Sequence, residues 1–163
     1  MQKSRKGKHV FLTAVLAIAM AAGQFAPASA FLDKTRFLAH IGVAYFCFHH
    51  WVMKPYEQGA FAEGAPHRTA AIVKGGVALL FAVHEVRVAE KIAQKSKDPL
   101  LQKLDSGVAS LTSSFSAVGQ KLKSGQFNPQ DLTSLTSQTS SVGSQAAAGG
   151  APIKDVAVPI PGT

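Results

Sequence analysis

The sequence predicts an all-α fold, a small helical bundle of two helical hairpins that follows a cleaved signal peptide and precedes a disordered C-terminal tail. Three observations predict it. Apolar residues recur three and four positions apart through most of residues 33–148, which is the spacing of one helix face. Proline and glycine residues concentrate between these stretches, at 55–67 and 125–129. No stretch alternates apolar and polar residues as a half-buried strand does.

Residues 1–30 have the three parts of a secretory signal peptide. Four Lys and Arg residues lie in MQKSRKGKH, a short apolar run follows, and the stretch ends in Ala28-Ser29-Ala30. Small residues at positions −3 and −1 favour cleavage after Ala30. The apolar run is shorter than the roughly 20 residues that a membrane-spanning helix needs. The sequence therefore predicts a secreted, bacterial protein, with an uncleaved anchor as the alternative.

Charge and size limit what the remaining chain does. Removal of residues 1–30 leaves 13 of the 17 Lys and Arg residues against nine acids, and the net charge falls from +8 to +4. This mild charge does not favour a nucleic-acid partner. The remaining residues are enough for one domain, which we place at 31–148.

The first predicted hairpin covers residues 33–95 and holds most of the aromatic residues. Its first helix is expected from Asp33, a capping residue, to Lys54, because Pro55 opens a loop that lasts to residue 67. Its second helix is expected at Arg68–Lys95. Six positions of this second helix share a stripe that we expect to face the core: Val73, Val77, Leu80, Phe81, His84 and Val88.

The second predicted hairpin covers residues 98–148 and has a heptad seam. Asp98-Pro99 and Asn128-Pro129 each combine a capping residue with a proline at the first helical position. Between them, apolar residues alternate steps of three and four. The predicted interaction residues lie on this seam: Leu101, Leu104, Val108, Leu111, Phe115, Val118, Leu132, Leu135 and Val142.

The last helix and the tail are expected to be the weakest parts of the chain. Thr139 and Ala146 occupy seam positions in the last helix and bury little apolar surface. This helix is therefore predicted to be the least stable, or to form only against a partner. Residues 149–163 are rich in Gly, Pro and Ala and are predicted to form a flexible tail.

Three residues are candidates for binding a cofactor. His40 and His84 lie at similar distances from the first loop, so an antiparallel hairpin would set them at similar heights. Two facing histidines are the layout of a bis-histidine haem, or of two ligands to a transition metal, with Cys47 as a third. The alternative is that both histidines and the single cysteine are structural, with no cofactor bound. His49 and His50 are adjacent, so they cannot converge on one ion.

Three functional hypotheses remain open at this stage. The leading one is an exported, non-catalytic protein with an interaction or structural role at the bacterial cell envelope, which binds a protein partner or self-associates. The second is a haem- or metal-binding module that uses His40 and His84. The third is a helical hairpin protein that associates with a membrane surface. No serine-hydrolase, phosphate-loop or metalloprotease motif appears, so we expect no enzymatic activity.

Overall fold

The computed structural model describes residues 28–160, and this part of the chain is all-α, with no strand in it. Five α-helices are present, and a π-helical turn at His49–Met53 joins the first two. They are α1 (Ala28–Phe48), α2 (Lys54–Glu57), α3 (Arg68–Lys95), α4 (Pro99–Ser124) and α5 (Pro129–Ala148). The predicted fold class is confirmed. The signal-peptide prediction falls mostly on residues 1–27, outside the described residues, and the expected cleavage point lies in the first turn of α1.

The sequence predicted that the first helix would end at Lys54. In the structure the helical winding continues through Pro55 to Glu57. Proline has no N–H, and its ring clashes with the carbonyl group four residues earlier. The π-helical turn accommodates both because it is one residue wider than an α-helical turn. The N–H of Lys54 donates to the carbonyl oxygen of His49, five residues back. The proline therefore changes the local winding of the helix and does not break it.

Helix α3 is central and packs against both α1 and α4. Its most closely packed face consists mainly of small residues, which let the neighbouring helices approach. These buried residues are Gly75, Ala78, Leu79, Ala82, Val83, Glu85, Val86, Ala89 and Ala93. The predicted stripe was therefore the wrong face of this helix, since Val73, Leu80 and His84 are exposed. Alanine and glycine carry little weight in a hydrophobic pattern, although they pack closely.

The second hairpin forms as the capping residues predict. The Asp98 carboxylate accepts hydrogen bonds from the amides of Leu100 and Leu101 at the start of α4. Asn128 and Asp131 form a reciprocal capping box at the start of α5. Helix α5 packs mainly against α4. It also meets α1, where Tyr45 Oη donates a 2.6 Å hydrogen bond to the carbonyl oxygen of Thr139.

Residues 151–160, which we call the C-terminal segment, are extended and lie against α1. The N–H of Val156 donates to the carbonyl oxygen of Gly42 at 3.0 Å. Ala151 and Ile160 are buried, and Asp155 forms an ion pair with His49 at 2.9 Å. This part of the tail has no regular secondary structure, as its composition predicts. It can lie against α1 because Gly42 leaves room for it.

Candidate functional site

The nine interaction residues predicted on the heptad seam lie in the core of the chain. None is more than 5% exposed. They are Leu101, Leu104, Val108, Leu111, Phe115, Val118, Leu132, Leu135 and Val142. An interface on these side chains would require the bundle to open. The seam therefore holds the second hairpin to the first and is not a preformed binding surface.

His40 meets Glu85 of α3, and not His84. Its Nδ1 lies 2.6 Å from Oε2 of Glu85, and Glu85 is buried. His84 is one position earlier, about 100° around the helix, and is exposed. The height expected for the partner of His40 is correct to within one residue. The two histidines predicted to hold haem or a metal nevertheless do not face each other.

Cys47 is fully buried, and its surroundings keep the thiol protonated. Burial, together with the negative charge of Glu85, raises the pKa of Cys47 to about 12. The thiolate is the form that binds metals and attacks disulfides. A protonated thiol without access to solvent does neither. In the folded chain Cys47 therefore packs as a small apolar side chain, which is one of the two roles that the sequence leaves open.

The remaining histidines near the aromatic stretch have partners of their own. His49 pairs with Asp155, and the ring of His50 stacks on Phe46 with 5.0 Å between centroids. Within residues 28–160, no group of three or more His, Cys, Asp and Glu side chains is placed to hold a metal ion. The described residues therefore do not assemble the ligand set that the cofactor hypothesis requires.

One exposed apolar surface stands out on the described part of the molecule. It is a shallow groove of about 330 Å³ along the first half of α3, closed at one side by the end of α4. Val73 and Leu80 are 58% and 62% exposed, and nothing lies within 4 Å of where a side chain on Gly76 would begin. We call this the α3 surface, lined by Ile72, Val73, Gly76, Val77, Leu80 and Lys123.

The α3 surface belongs to a helix that is unusually apolar for one that is only partly buried. Among the described residues, α3 is the one helix long and apolar enough to cross a membrane, by length and composition alone. Core helices of soluble proteins often share this property, because burial accounts for their apolar composition. Here only 33% of the most apolar stretch of α3 is buried. Packing inside the chain therefore leaves much of its apolar character unexplained.

The charge around the α3 surface is positive. No acid occurs in α3 between residues 68 and 84, and none occurs in α4 between residues 106 and 124. Lys74 and Lys123 are exposed, and neither forms an ion pair within residues 28–160. Nζ of Lys74 lies 6.0 Å from the ring centroid of Trp51. The groove is therefore apolar at its centre and cationic at its rim.

Sequence reasoning missed this surface although it found most of its residues. Val73, Val77 and Leu80 belong to the stripe that the pattern assigned to the core. The signal that points to the other face is the run of small residues opposite, at Gly75, Ala78 and Ala82. When the small-residue face of α3 packs against α1 and α4, the second apolar face of the helix stays exposed.

Comparisons with known proteins add no relationship. No protein-family model matches the chain, no curated protein matches it, and no solved structure matches it.

Proposed function

We propose that this protein is exported to the bacterial cell envelope and works there by binding, without catalysis. The observation that carries the proposal is the α3 surface, on which Val73 and Leu80 are more than half exposed. Contiguous exposed apolar residues with a polar rim are typical of contact surfaces. The protein's partner-binding side chains are then those of α3, and the heptad seam serves the fold.

The sequence supports export and the absence of catalysis. Residues 1–30 have the composition of a signal peptide, with Ala28 and Ala30 at the two positions that the processing enzyme reads. No serine-hydrolase, phosphate-loop or metalloprotease motif occurs in the chain. The exposed polar side chains of α4 and α5 are mainly Ser, Thr and Gln, which suit a solvated surface.

Export is tested by expressing the full chain in a bacterial host and measuring the intact mass of the recovered protein. We expect the mass of residues 31–163. Ala30→Arg places a large charge at position −1 and should leave the chain unprocessed. Ser29→Arg, at position −2, is the matched control and should be processed normally. An unprocessed wild-type chain that stays in the cytoplasm would refute the export part of the proposal.

Binding through the α3 surface is tested by fractionation of the same host cells. We expect the wild-type protein to remain with washed envelopes and Leu80→Asn to shift into the soluble fraction. Leu32→Asn is the matched control, because Leu32 is 59% exposed but lies on α1, away from the α3 surface. Equal distribution of wild-type and Leu80→Asn proteins would show that the α3 surface is not the contact.

A further inference from the structure

The α3 surface fits one kind of occupant better than others. We propose that it docks on an anionic lipid bilayer surface, with the helical bundle intact, an inference that rests on the binding role proposed above.

The shape suits shallow insertion into a membrane interface. Val73 and Leu80 project from one face of α3, two turns apart, and Gly76 leaves the backbone accessible between them. The opposite face of α3 stays packed against α1 and α4. Apolar side chains on one face of a helix that lies parallel to the bilayer enter the boundary between headgroups and acyl chains. Docking therefore needs no unfolding.

The charges select an anionic surface. Lys74 and Lys123 flank the apolar residues and lack acidic partners within residues 28–160. The acids nearest in sequence to α3 on its N-terminal side, Glu57 and Glu63, belong to α2 and the loop after it. Cations beside an exposed apolar face are attracted by the negative potential of anionic headgroups. A zwitterionic surface offers the apolar contact without this attraction.

A second copy of the chain is a poorer occupant. Two α3 surfaces in contact would bring the rim lysines of both copies together, and like charges at an interface disfavour the pairing. Residues 72–80 span about 12 Å of helix. The surface of so short a stretch of helix is far smaller than the roughly 800 Å² per partner of a standard stable interface. Charge and size therefore both favour the bilayer.

The experiment measures binding of the protein, recovered after expression of the full chain, to lipid vesicles. One set of vesicles contains phosphatidylglycerol and phosphatidylcholine, and the other contains phosphatidylcholine alone. Co-sedimentation gives the bound fraction. The fluorescence of Trp51, the single tryptophan of the chain and a neighbour of Lys74, reports the location of the contact. We expect binding to the anionic vesicles that weakens with added salt, with a blue shift of the Trp51 emission.

Two variants and their matched controls assign the binding to the α3 surface. Leu80→Asn should weaken vesicle binding about tenfold or more, because it removes a leucine side chain that becomes buried in the bilayer on docking. Lys74→Glu with Lys123→Glu should weaken it by at least as much and remove its salt dependence. Leu32→Asn, and Lys97→Glu with Lys103→Glu, alter exposed residues at the other end of the bundle. These controls should bind within about twofold of the wild-type protein, and circular dichroism checks that every variant is folded.

The possible outcomes separate this inference from the proposed function. A wild-type protein that stays with cell envelopes but ignores anionic vesicles overturns the lipid inference and leaves a protein contact on the α3 surface. A protein that associates with neither refutes both proposals. Equal binding to both vesicle types overturns the choice of an anionic surface. A dimer in sedimentation equilibrium that Leu80→Asn dissociates assigns the surface to a second copy.

Discussion

Gly42 is the residue that lets the C-terminal segment lie against α1. A Cβ added there would collide with the carbonyl oxygen of Lys154 and come within 2.7 Å of Cγ2 of Val156. Gly42→Ala should therefore displace the segment while α1 stays helical, because alanine favours helices by up to about 1 kcal/mol over glycine. We expect faster hydrogen exchange at the Val156 amide, which loses its bond to the Gly42 carbonyl oxygen.

Gly76→Ala is the matched control for Gly42→Ala, because a Cβ there meets nothing within 4 Å. It should raise the free energy of unfolding by about 0.5–1 kcal/mol through helix propensity alone. Exchange in residues 151–160 should be unchanged. Unaltered exchange in the Gly42→Ala variant as well would show that the segment does not depend on this close approach.

The His40–Glu85 pair makes a second prediction at the residue scale. Glu85→Ala leaves the imidazole of His40 without its acceptor in a partly buried position, and we expect the free energy of unfolding to fall by about 1–3 kcal/mol. Glu85→Gln keeps an acceptor oxygen and should cost less. Urea unfolding measures both. Glu63→Ala, in an exposed loop, should change stability by no more than about 0.5 kcal/mol, and an equal loss there would contradict the assigned role.

The sequence could place His40 but could not choose its partner. On a helical wheel His40 lies on the same face of α1 as Cys47, which is buried, so the inward orientation of His40 was predictable. Across the bundle, His84 and Glu85 differ by 100° of rotation, and the choice depends on which side of α3 is packed. That side is decided by small residues, Gly75 and Ala78 among them, whose contribution to an apolar pattern is slight.

At the scale of elements, α5 remains the helix that we predict to open first. It is held to α1 by the hydrogen bond from Tyr45 to the Thr139 carbonyl oxygen. Tyr45→Phe keeps the ring and removes the bond, which contributes about 0.5–1.5 kcal/mol. We therefore expect α5 amides to exchange about two- to thirteenfold faster, measured by hydrogen exchange with mass spectrometry, while α4 changes less.

Tyr56→Phe is the matched control for the α5 prediction. The hydroxyl group of Tyr56 makes no hydrogen bond within the described part of the chain, and its ring packs against Phe61 and Phe127. The exchange of α5 should not respond to this change. If the Tyr45→Phe variant exchanged uniformly faster in every helix, α5 would not be an independent unit of opening.

The helices differ in how well their sequences predicted them. Helix α4 has one apolar seam, a capping aspartate and a terminal glycine, Gly125, which adopts the left-handed conformation expected after a helix. Each local signal agrees with the fold, so the helix and its buried face were both predictable. Helix α3 has apolar residues on two faces, which leaves its buried face ambiguous. Pro55 lies in α2, directly after the π-helical turn, and a rule that ends a helix before proline does not anticipate this continuation.

At the scale of the whole molecule, the C-terminal segment shows the limit of local reasoning. Its Gly- and Pro-rich composition correctly predicted the lack of regular secondary structure between residues 151 and 160. Its position was not predictable, since it depends on the gap at Gly42 and on the contact of Asp155 with His49, and Gly42 and His49 both lie more than a hundred residues earlier in the chain. Contacts between distant parts of the chain leave no periodic signal in either part.

The free energy of unfolding should have a broad maximum near neutral pH and should decrease in both acid and alkali. Burial opposes ionisation of Asp98, but hydrogen bonds from Lys34 and from backbone amides outweigh it and hold the pKa of Asp98 below its usual value. A hydrogen bond from Lys121 likewise lowers the pKa of Asp131. These two groups stabilise the fold above about pH 4, and their contribution is lost as the pH falls and protonation removes the favoured carboxylates.

The alkaline side follows from Cys47 and Tyr45, whose pKa values burial raises, to about 12 for the thiol. In the unfolded chain the thiol ionises near pH 9, so above that pH the unfolded state releases a proton that the folded state keeps. Stability should then fall by up to about 1.4 kcal/mol per pH unit for each group. Urea unfolding from pH 8 to 11 measures this slope, which Cys47→Ala with Tyr45→Phe should flatten. An unchanged slope in that double variant would assign the alkaline loss to other groups, whereas a flattened one would show that the same burial that silences the thiol also sets the upper pH limit of the fold.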